Sequence, residues 1–497
     1  MNCERRFNLR PLLLFAISII CGEAVSYYSP SLGGYGVLIL AGVFSGPFVL
    51  SEIFLKSRTR FSRAVVAGIC LLLSVLGYGR FYYSVLKTEA DKVPSGNYTV
   101  SGVVSDISVN DDGKTVFLSE CRYDGVKGGN ILLYGLDGVN VGDRLSVKCR
   151  AYPTALSKDG KFTYSAIIGA SMQGANVYSV TVTGFRGGIF YTVRQAIKRG
   201  LTLNDGGVAS KIAIAIMIGD TSALSAEELT TFRLGGIAHI FAVSGMHVGL
   251  LFAALLFVLE PLKLKRRYKS VGIFIVLLLY SGVCGFSSSS MRAVFMCGCM
   301  LLSETLGEKH DRINALSVAA IIISLTDPTS VVRAGFILSF AVCFSLITVS
   351  PPISRKTAFL GSKFSRALSA LVAAELAIFP LSIIYFGYMP AVGLLLNLIA
   401  LPVVTIVYYF LWIGLLFNSV LPFWGVGLTL PYAALDGIYS IAAKFLGGVT
   451  ATQFPSVLFL PYYIALVIFG DLINAKKGVK AFSSGVIVAI IIVSAFA

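Results

Sequence analysis

The sequence predicts a polytopic α-helical membrane protein with a small extracytoplasmic β-barrel domain. Three observations predict it. The 497 residues have a mean hydropathy of +0.81, with 56% hydrophobic and only 13% charged residues, too apolar for a soluble chain of this length. Several runs approach or exceed the ~20 apolar residues that span hydrocarbon. One stretch, 87–185, breaks that pattern with alternating polar and β-branched residues.

The formal charge of +16 suggests a nucleic-acid-binding surface, but its distribution points elsewhere. Nineteen of the 41 basic residues fall in five short segments: Arg5, Arg6 and Arg10; Lys56, Arg58, Arg60 and Arg63; Lys263, Lys265, Arg266, Arg267 and Lys269; Arg355, Lys356, Lys363 and Arg366; Lys476, Lys477 and Lys480. These segments alternate with apolar runs, which is the pattern of cytoplasmic loops under the positive-inside rule. The other 22 basic residues meet 25 acidic ones, so the basic excess is mainly a topology signal.

Apolar runs near 11–29, 34–55 and 64–86 give three N-terminal transmembrane helices in residues 1–86. The Arg-rich start reads as a retained helix, because Glu23 and a tyrosine pair follow it without a small-residue cleavage site. Basic loops place the N-terminus and 56–63 inside, so 87–185 lies outside. There the strings NYTVSGVVSDISV, KTVFLSEC, NILLYGL, DRLSVKCR and ANVYSVTVTG read as five short strands separated by Asp-Gly and Gly-Gly turns. Five strands in such a length suit an OB-like barrel. Its ten basic and ten acidic residues cancel and its aromatics are few, so a structural or docking role stands beside direct binding of nucleic acid.

Nine cysteines form no C-x-x-C pair, and Cys297 and Cys299 sit in an apolar run as small buried hydrophobes. Cys121 and Cys149 lie in the polar domain and face an oxidising compartment, either as a disulfide or as two buried thiols. Residues 186–204 read as an amphipathic interfacial helix, with Ile189, Phe190, Val193, Ile197 and Leu201 opposite Arg194, Lys198 and Arg199. It either lies on the outer membrane surface or packs on the β domain.

From 205 to 497 the chain reads as mostly spans. The basic loops set 236–260 running inward, 270–284 outward, 291–306 inward, 313–327 outward, 333–350 inward and 367–388 outward. Residues 391–455 hold two spans or re-entrant pieces. Then 456–474 runs inward and 481–497 outward, giving about twelve or thirteen spans with the C-terminus outside.

No G-x-x-x-x-G-K-[ST], H-E-x-x-H or G-x-S-x-G string occurs, so the sequence shows neither an ATP engine, nor a hydrolytic metal site, nor a nucleophile elbow. No metal or cofactor is expected. The chemistry-bearing residues lie within apolar runs. The segment 235–249, GGIAHIFAVSGMHVG, carries His239 and His247 around a Ser244-Gly245 break. Polar and helix-breaking residues at membrane depth belong where backbone meets a cavity or water path. The two histidines are otherwise satisfied core groups. A hydrolase built on Ser244 and His247 lacks a visible third member. Asp220 is either an interfacial turn residue or a path-lining carboxylate, followed by Ser222 and Ser225 as caps for a helix that carries Glu227 and Glu228 in its first turn. GFSSSSMR at 285–292 offers the hydroxyls of Ser287, Ser288, Ser289 and Ser290 and the charge of Arg292 to an anion, unless Arg292 snorkels to the interface. Glu23, Glu375 and Asp436 are further ionisable residues without an assigned role. Asn397 and Pro402 in NLIALP break a helix and mark a re-entrant segment.

These strings, in this order, resemble the ComEC competence-protein family of DNA-uptake channels. The match rests on Gly219-Asp220, HIFAVSGMHVG ending at Gly249, GFSSSSMRA, Asp327-Pro328, GFILSF beginning at Gly335, Phe386-Gly387 and NLIALP. The family's usual SGLHVG and GFSPSALRA stand here as SGMHVG and GFSSSSMRA; the first change conserves volume and the second removes a turn proline. Many members carry a C-terminal metallo-β-lactamase-like domain, and this chain ends at Ala497 after a last span. The resemblance therefore implies a channel for single-stranded DNA in the bacterial cytoplasmic membrane, without its own nuclease. It also implies a DNA receptor outside, a cytosolic helicase and a separate nuclease as partners. The alternatives are a transporter for a smaller anionic solute and an intramembrane hydrolase.

Overall fold

The computed structural model describes residues 11–28 and 60–496, apart from 111–112, 137, 155–156, 159–160, 186–187, 203–206, 242, 391–392, 419–428, 445–448, 451–453 and 474. The apolar run at 34–55 lies outside the described residues.

Helices α1 (Pro11–Tyr28) and α2 (Arg60–Ala90) pack against one another through glycines. A Cβ at Gly22 would run into the Ser74 carbonyl oxygen, and one at Gly77 into that of Ile19. The Ser74 hydroxyl donates to the Ser18 carbonyl at 2.8 Å across the same seam. Small residues let membrane helices approach closely enough for such contacts. Gly22→Val puts a branched side chain against a neighbouring backbone and should destabilise the protein by about 1–3 kcal/mol or more. An unchanged thermal unfolding midpoint in detergent would contradict the close crossing.

Five long strands follow: β1 (Gly96–Asn110), β2 (Gly113–Tyr123), β3 (Asn130–Tyr134), β4 (Asp143–Pro153) and β5 (Ala170–Phe185). β1 pairs antiparallel with both β2 and β4. β4 pairs antiparallel with β5, β5 parallel with β3, and β3 antiparallel with β2. Each of the five therefore has a partner on both sides. β1 serves two neighbours because its ladder with β2 is irregular between Ser101 and Val103 and again between Val104 and Asp106, which lets a long strand bend. Period-two patterning fills the interior: Leu145, Val147, Cys149 and Ala151 of β4 are all buried, alongside Val100, Val116, Leu118, Ile131 and Leu133.

The disulfide considered for Cys121 and Cys149 is not formed: both are buried free thiols. Their strands β2 and β4 flank β1 on opposite sides, two strand spacings or about 9–10 Å apart, beyond the reach of a disulfide. Cys121 instead donates to the Leu118 carbonyl at 3.3 Å. Burial pushes the Cys121 thiol up to about 12 and that of Cys149 up to about 11, so neither presents a reactive thiolate.

Helix α3 (Ile189–Leu201) is amphipathic as expected: its C-terminal half packs into protein, while Ile189 and Val193 stay exposed. Ile197 and Leu201 are buried in the core of the helical region, and Phe190 packs edge-on to Phe286 at 5.5 Å. Tyr191 meets Phe185 of β5 at 4.7 Å, so α3 sits between the two parts of the molecule. Two further contacts join them: Arg233 donates to the Val109 carbonyl of β1 at 3.1 Å, and Arg333 to the Ile167 carbonyl at 3.0 Å.

The rest is helical: α4 (Val208–Ile218), α5 (Ala226–Leu234), α6 (Gly245–Leu259), α7 (Arg266–Val283), α8 (Ser288–Leu306), α9 (Arg312–Thr326), α10 (Ala334–Thr348), α11 (Ser350–Lys356), α12 (Ser362–Phe386), α13 (Gly393–Asn418), α14 (Thr429–Lys444), α15 (Phe459–Phe469) and α16 (Lys477–Phe496). α4 is apolar and buried from Ile212 to Ile218, after Lys211 pairs with Glu228, and it centres the largest core, against Phe232, Phe241, Val404 and Tyr408. Among the described residues three helices are long and apolar enough to cross a membrane: Gly68–Ala90, Ser362–Phe386 and Gly393–Leu416. A fourth arises if α10 and α11, bent by 42°, form one span. This is fewer than the twelve or thirteen expected. Several apolar runs form shorter helices, and others, such as α7 with Arg266, Arg267 and Lys269, begin in charge. The re-entrant segment expected at Asn397 and Pro402 is also corrected. α13 runs unbroken through both, because a proline is tolerated in an apolar helix whose neighbours satisfy the freed backbone.

Candidate path-lining site

The segment 235–249 is broken where the sequence predicted. A 3-10 turn, Ala238–Ile240, carries His239 on its exposed side. Ser244 is extended, and α6 starts afresh at Gly245. Ser244 is its N-cap: the hydroxyl accepts from the Met246 amide at 3.2 Å. His247 closes the cap from the third helical position, its Nδ1 accepting from the Ser244 amide at 3.2 Å. Glutamate or glutamine usually fills that role. The Ser244 hydroxyl lies 3.3 Å from the same nitrogen. With Nδ1 engaged by the backbone, and with Nε2 meeting no partner among the described residues, this pair is a helix cap rather than a catalytic dyad. The His247 ring is fully buried and packs against Tyr408 at 5.5 Å, whose hydroxyl donates to that of Tyr280 at 3.2 Å.

Gly245 is required by its neighbour. A Cβ there would lie 3.0 Å from a terminal nitrogen of Arg292. Arg292, in the second turn of α8, is buried rather than snorkelling. Its Nε donates to the Ser339 hydroxyl at 2.7 Å, its guanidinium touches the Cys343 sulfur, and it lies over the Phe340 ring at 5.9 Å. Among the described residues no carboxylate stands within ion-pair distance of it.

The four serines divide into two roles. Ser287 caps α8 by accepting from the Ser290 amide, and Ser290 meets the Ser281 hydroxyl at 2.8 Å. Those two hold the turn, which passes through left-handed conformations at Gly285 and Phe286 and is tied by the Phe286 amide to the Ser281 carbonyl at 2.8 Å. It stays tight without the family's proline. Ser289 reaches the Ser339 hydroxyl at 3.1 Å, and Ser288 lies where Gly335 leaves room, 3.8 Å from a Cβ placed there. Ser244, Gly245, Ser288, Ser289 and Arg292 thus converge with Gly335 and Ser339 of α10. One turn along α6, Gly249 faces open space.

Other candidates fall elsewhere. Gly219 ends α4 in the left-handed conformation, as a C-cap. Asp220, in the loop that follows, is a buried anchor. Lys198 and Arg194 of α3 meet one carboxylate oxygen at 2.5 and 3.1 Å, and Ser222 donates to the other from both amide and hydroxyl. Burial alone would raise this carboxyl, but the two cations outweigh it and hold Asp220 well below the usual carboxylate range. Asn397 reaches the Gly236 carbonyl and Glu375, both at 3.4 Å. The sequence reading passed over Ser339 and Cys343, although Ser339 is the serine of GFILSF. It also passed over Arg194 and Lys198 as partners of Asp220.

The family described as competence protein matches residues 216–476. Over 194 residues the chain is 30% identical to ComE operon protein 3 of Bacillus subtilis (strain 168), covering 39% of this chain and 24% of that protein. Over 398 residues it is 26% identical to Competence protein ComA of Neisseria gonorrhoeae, covering 73% of this chain and 54% of the other. It is 31% identical over 204 residues to the uncharacterised protein MG316 of Mycoplasma genitalium, covering 40% of this chain and 50% of that one. The matched stretches span about a quarter to a half of these relatives' lengths. No solved structure matches the chain.

Proposed function

The chain belongs to the competence protein family, and on that premise we propose that it forms a conduit carrying single-stranded DNA across the bacterial cytoplasmic membrane. The observation that carries the reading is Arg292. A buried guanidinium without a carboxylate is expensive to keep, typically several kcal/mol in desolvation. Hydroxyls and an aromatic face offset part of that cost and leave the charge unneutralised. Beside it the chain breaks at Ser244-Gly245, and Ser288 and Ser289 add hydroxyls. A polyanion crossing hydrocarbon needs such a wet, donor-rich lining. His239, on its exposed turn, is read as the outer end of this path, and Asp220 as the anchor that holds α3 to the helical region.

The five-stranded domain is read as an OB-like barrel outside the membrane, since its strand order and its one parallel pairing follow that fold. The loops rich in Lys and Arg support an orientation with the N-terminus inside and the C-terminus outside. The chain supplies passage rather than catalysis. A receptor delivers the strand, a cytosolic helicase pulls it, and a nuclease acting elsewhere degrades the complementary strand. Deleting the gene in a competent host should abolish uptake of labelled DNA into the cytoplasm. Unchanged uptake would refute the reading, and flux of a small anion through proteoliposomes in place of DNA would favour a solute channel.

A further inference from the structure

At the far end of the helical region a cavity of about 280 Å³ opens between the start of α9, the end of α10 and the segment after α15. His310, Asp311, Arg312, Thr348 and Asp471 supply its polar walls. We propose that it is a binding site for a phosphate group, separate from the Arg292 cluster and independent of the DNA reading.

The argument is a count of free donors against free acceptors. Asp471 is already over-neutralised. Arg355 bonds both of its carboxylate oxygens at 2.8 Å, and Lys480 approaches at 3.3 Å. Its amide is tied to the Thr348 carbonyl at 2.7 Å, which fixes the wall. Asp311 uses one oxygen to cap α9, accepting from the amides of Ile313 and Asn314. The Thr348 hydroxyl is committed to the Phe344 carbonyl at 2.7 Å. Two groups are left over. His310 Nδ1 is buried without a partner, and the Arg312 side chain, exposed at the cavity mouth, makes no hydrogen bond or ion pair among the described residues. The cavity therefore keeps one guanidinium and one imidazole nitrogen uncommitted, while Arg355 and Lys480 together outweigh the charge of Asp471 in its wall. A compact, acceptor-rich anion such as a phosphate suits an arginine fork beside an imidazole.

The phosphate could belong to a lipid headgroup or to a soluble phosphate ester. Phe359 and Phe482 stand 82% and 73% exposed in segments that also carry Lys356, Lys363, Lys476 and Lys477, and Arg355 and Lys480 of the same segments reach Asp471 in the cavity wall, a composition like that of a membrane interface. The full chain in phosphatidylcholine nanodiscs and phosphate-free buffer tests this in two arms. In one, inorganic phosphate is titrated and followed by phosphorus NMR. In the other, phosphatidylglycerol is included and its retention read by native mass spectrometry. Wild type should bind in at least one arm, and the responding arm names the source. Arg312→Gln and His310→Ala should each weaken that binding about tenfold. Lys309→Gln, an exposed neighbour outside the cavity, should leave it unchanged. If Arg312→Gln fails to fold by thermal unfolding, His310→Ala decides. Binding in neither arm, wild-type binding by the cavity variants, or an equal loss with Lys309→Gln overturns the proposal.

Discussion

Arg292→Gln should lower DNA uptake by about a hundredfold or more while leaving the protein in the membrane, a loss equivalent to about 3 kcal/mol of stabilisation of the passing strand. Glutamine keeps a donor for Ser339 and removes a charge whose burial opposes folding, so the fold has little to lose. What disappears is the cation beside the Ser244-Gly245 break. Arg292→Lys keeps the charge without the fork and should recover part of the uptake. The measurements are cytoplasmic labelled DNA per cell, with membrane abundance of each variant as control. Full uptake by Arg292→Gln at normal abundance would remove Arg292 from the path.

Asp220→Asn should act on stability instead, by about 3–5 kcal/mol, because it leaves Arg194 and Lys198 without their shared carboxylate in a buried site. The same ion cluster sets a pH dependence. The folded protein holds this carboxyl below its ordinary value of 3.8. The contribution is therefore complete above that pH and fades as pH falls toward the folded-state value. Unfolding midpoints of wild type should decline below about pH 4 more steeply than those of Asp220→Asn, which has no proton to take up there. Equal midpoints at neutral pH would show that the cluster contributes nothing. Adding Lys198→Met should restore part of the loss, since one stranded cation is then gone.

These two residues mark what the sequence can and cannot disclose. Arg292 is legible because an arginine among serines inside an apolar run has few reasons to be there. The break before α6 is legible from Ser244-Gly245, and the five strands from their alternation. Asp220 reads ambiguously because its partners lie on α3, whose polar face looks like one meant for water. Only packing reveals that this face turns inward onto Asp220. His247 is obscure for another reason: a histidine closing a helix cap has no sequence signature, since that position is expected to hold glutamate or glutamine. Pro402 misleads because the rule that proline ends helices is weakest inside a membrane. The closing contact between β1 and β2 and the parallel pairing of β3 with β5 depend on irregularities and long-range register that alternation does not encode.

Arg233 and Arg333 grip the β domain by main-chain carbonyls, those of Val109 and Ile167. A carbonyl is the one feature that every amino acid supplies alike. Part of the address at which the domain docks is consequently written in the course of its backbone, and the Phe185 ring against Tyr191 adds a part that depends on side chains. A lineage could rewrite the outer surface of this domain to suit a new environment and still seat it over the same helices, so long as the two arginines and that ring pair stay.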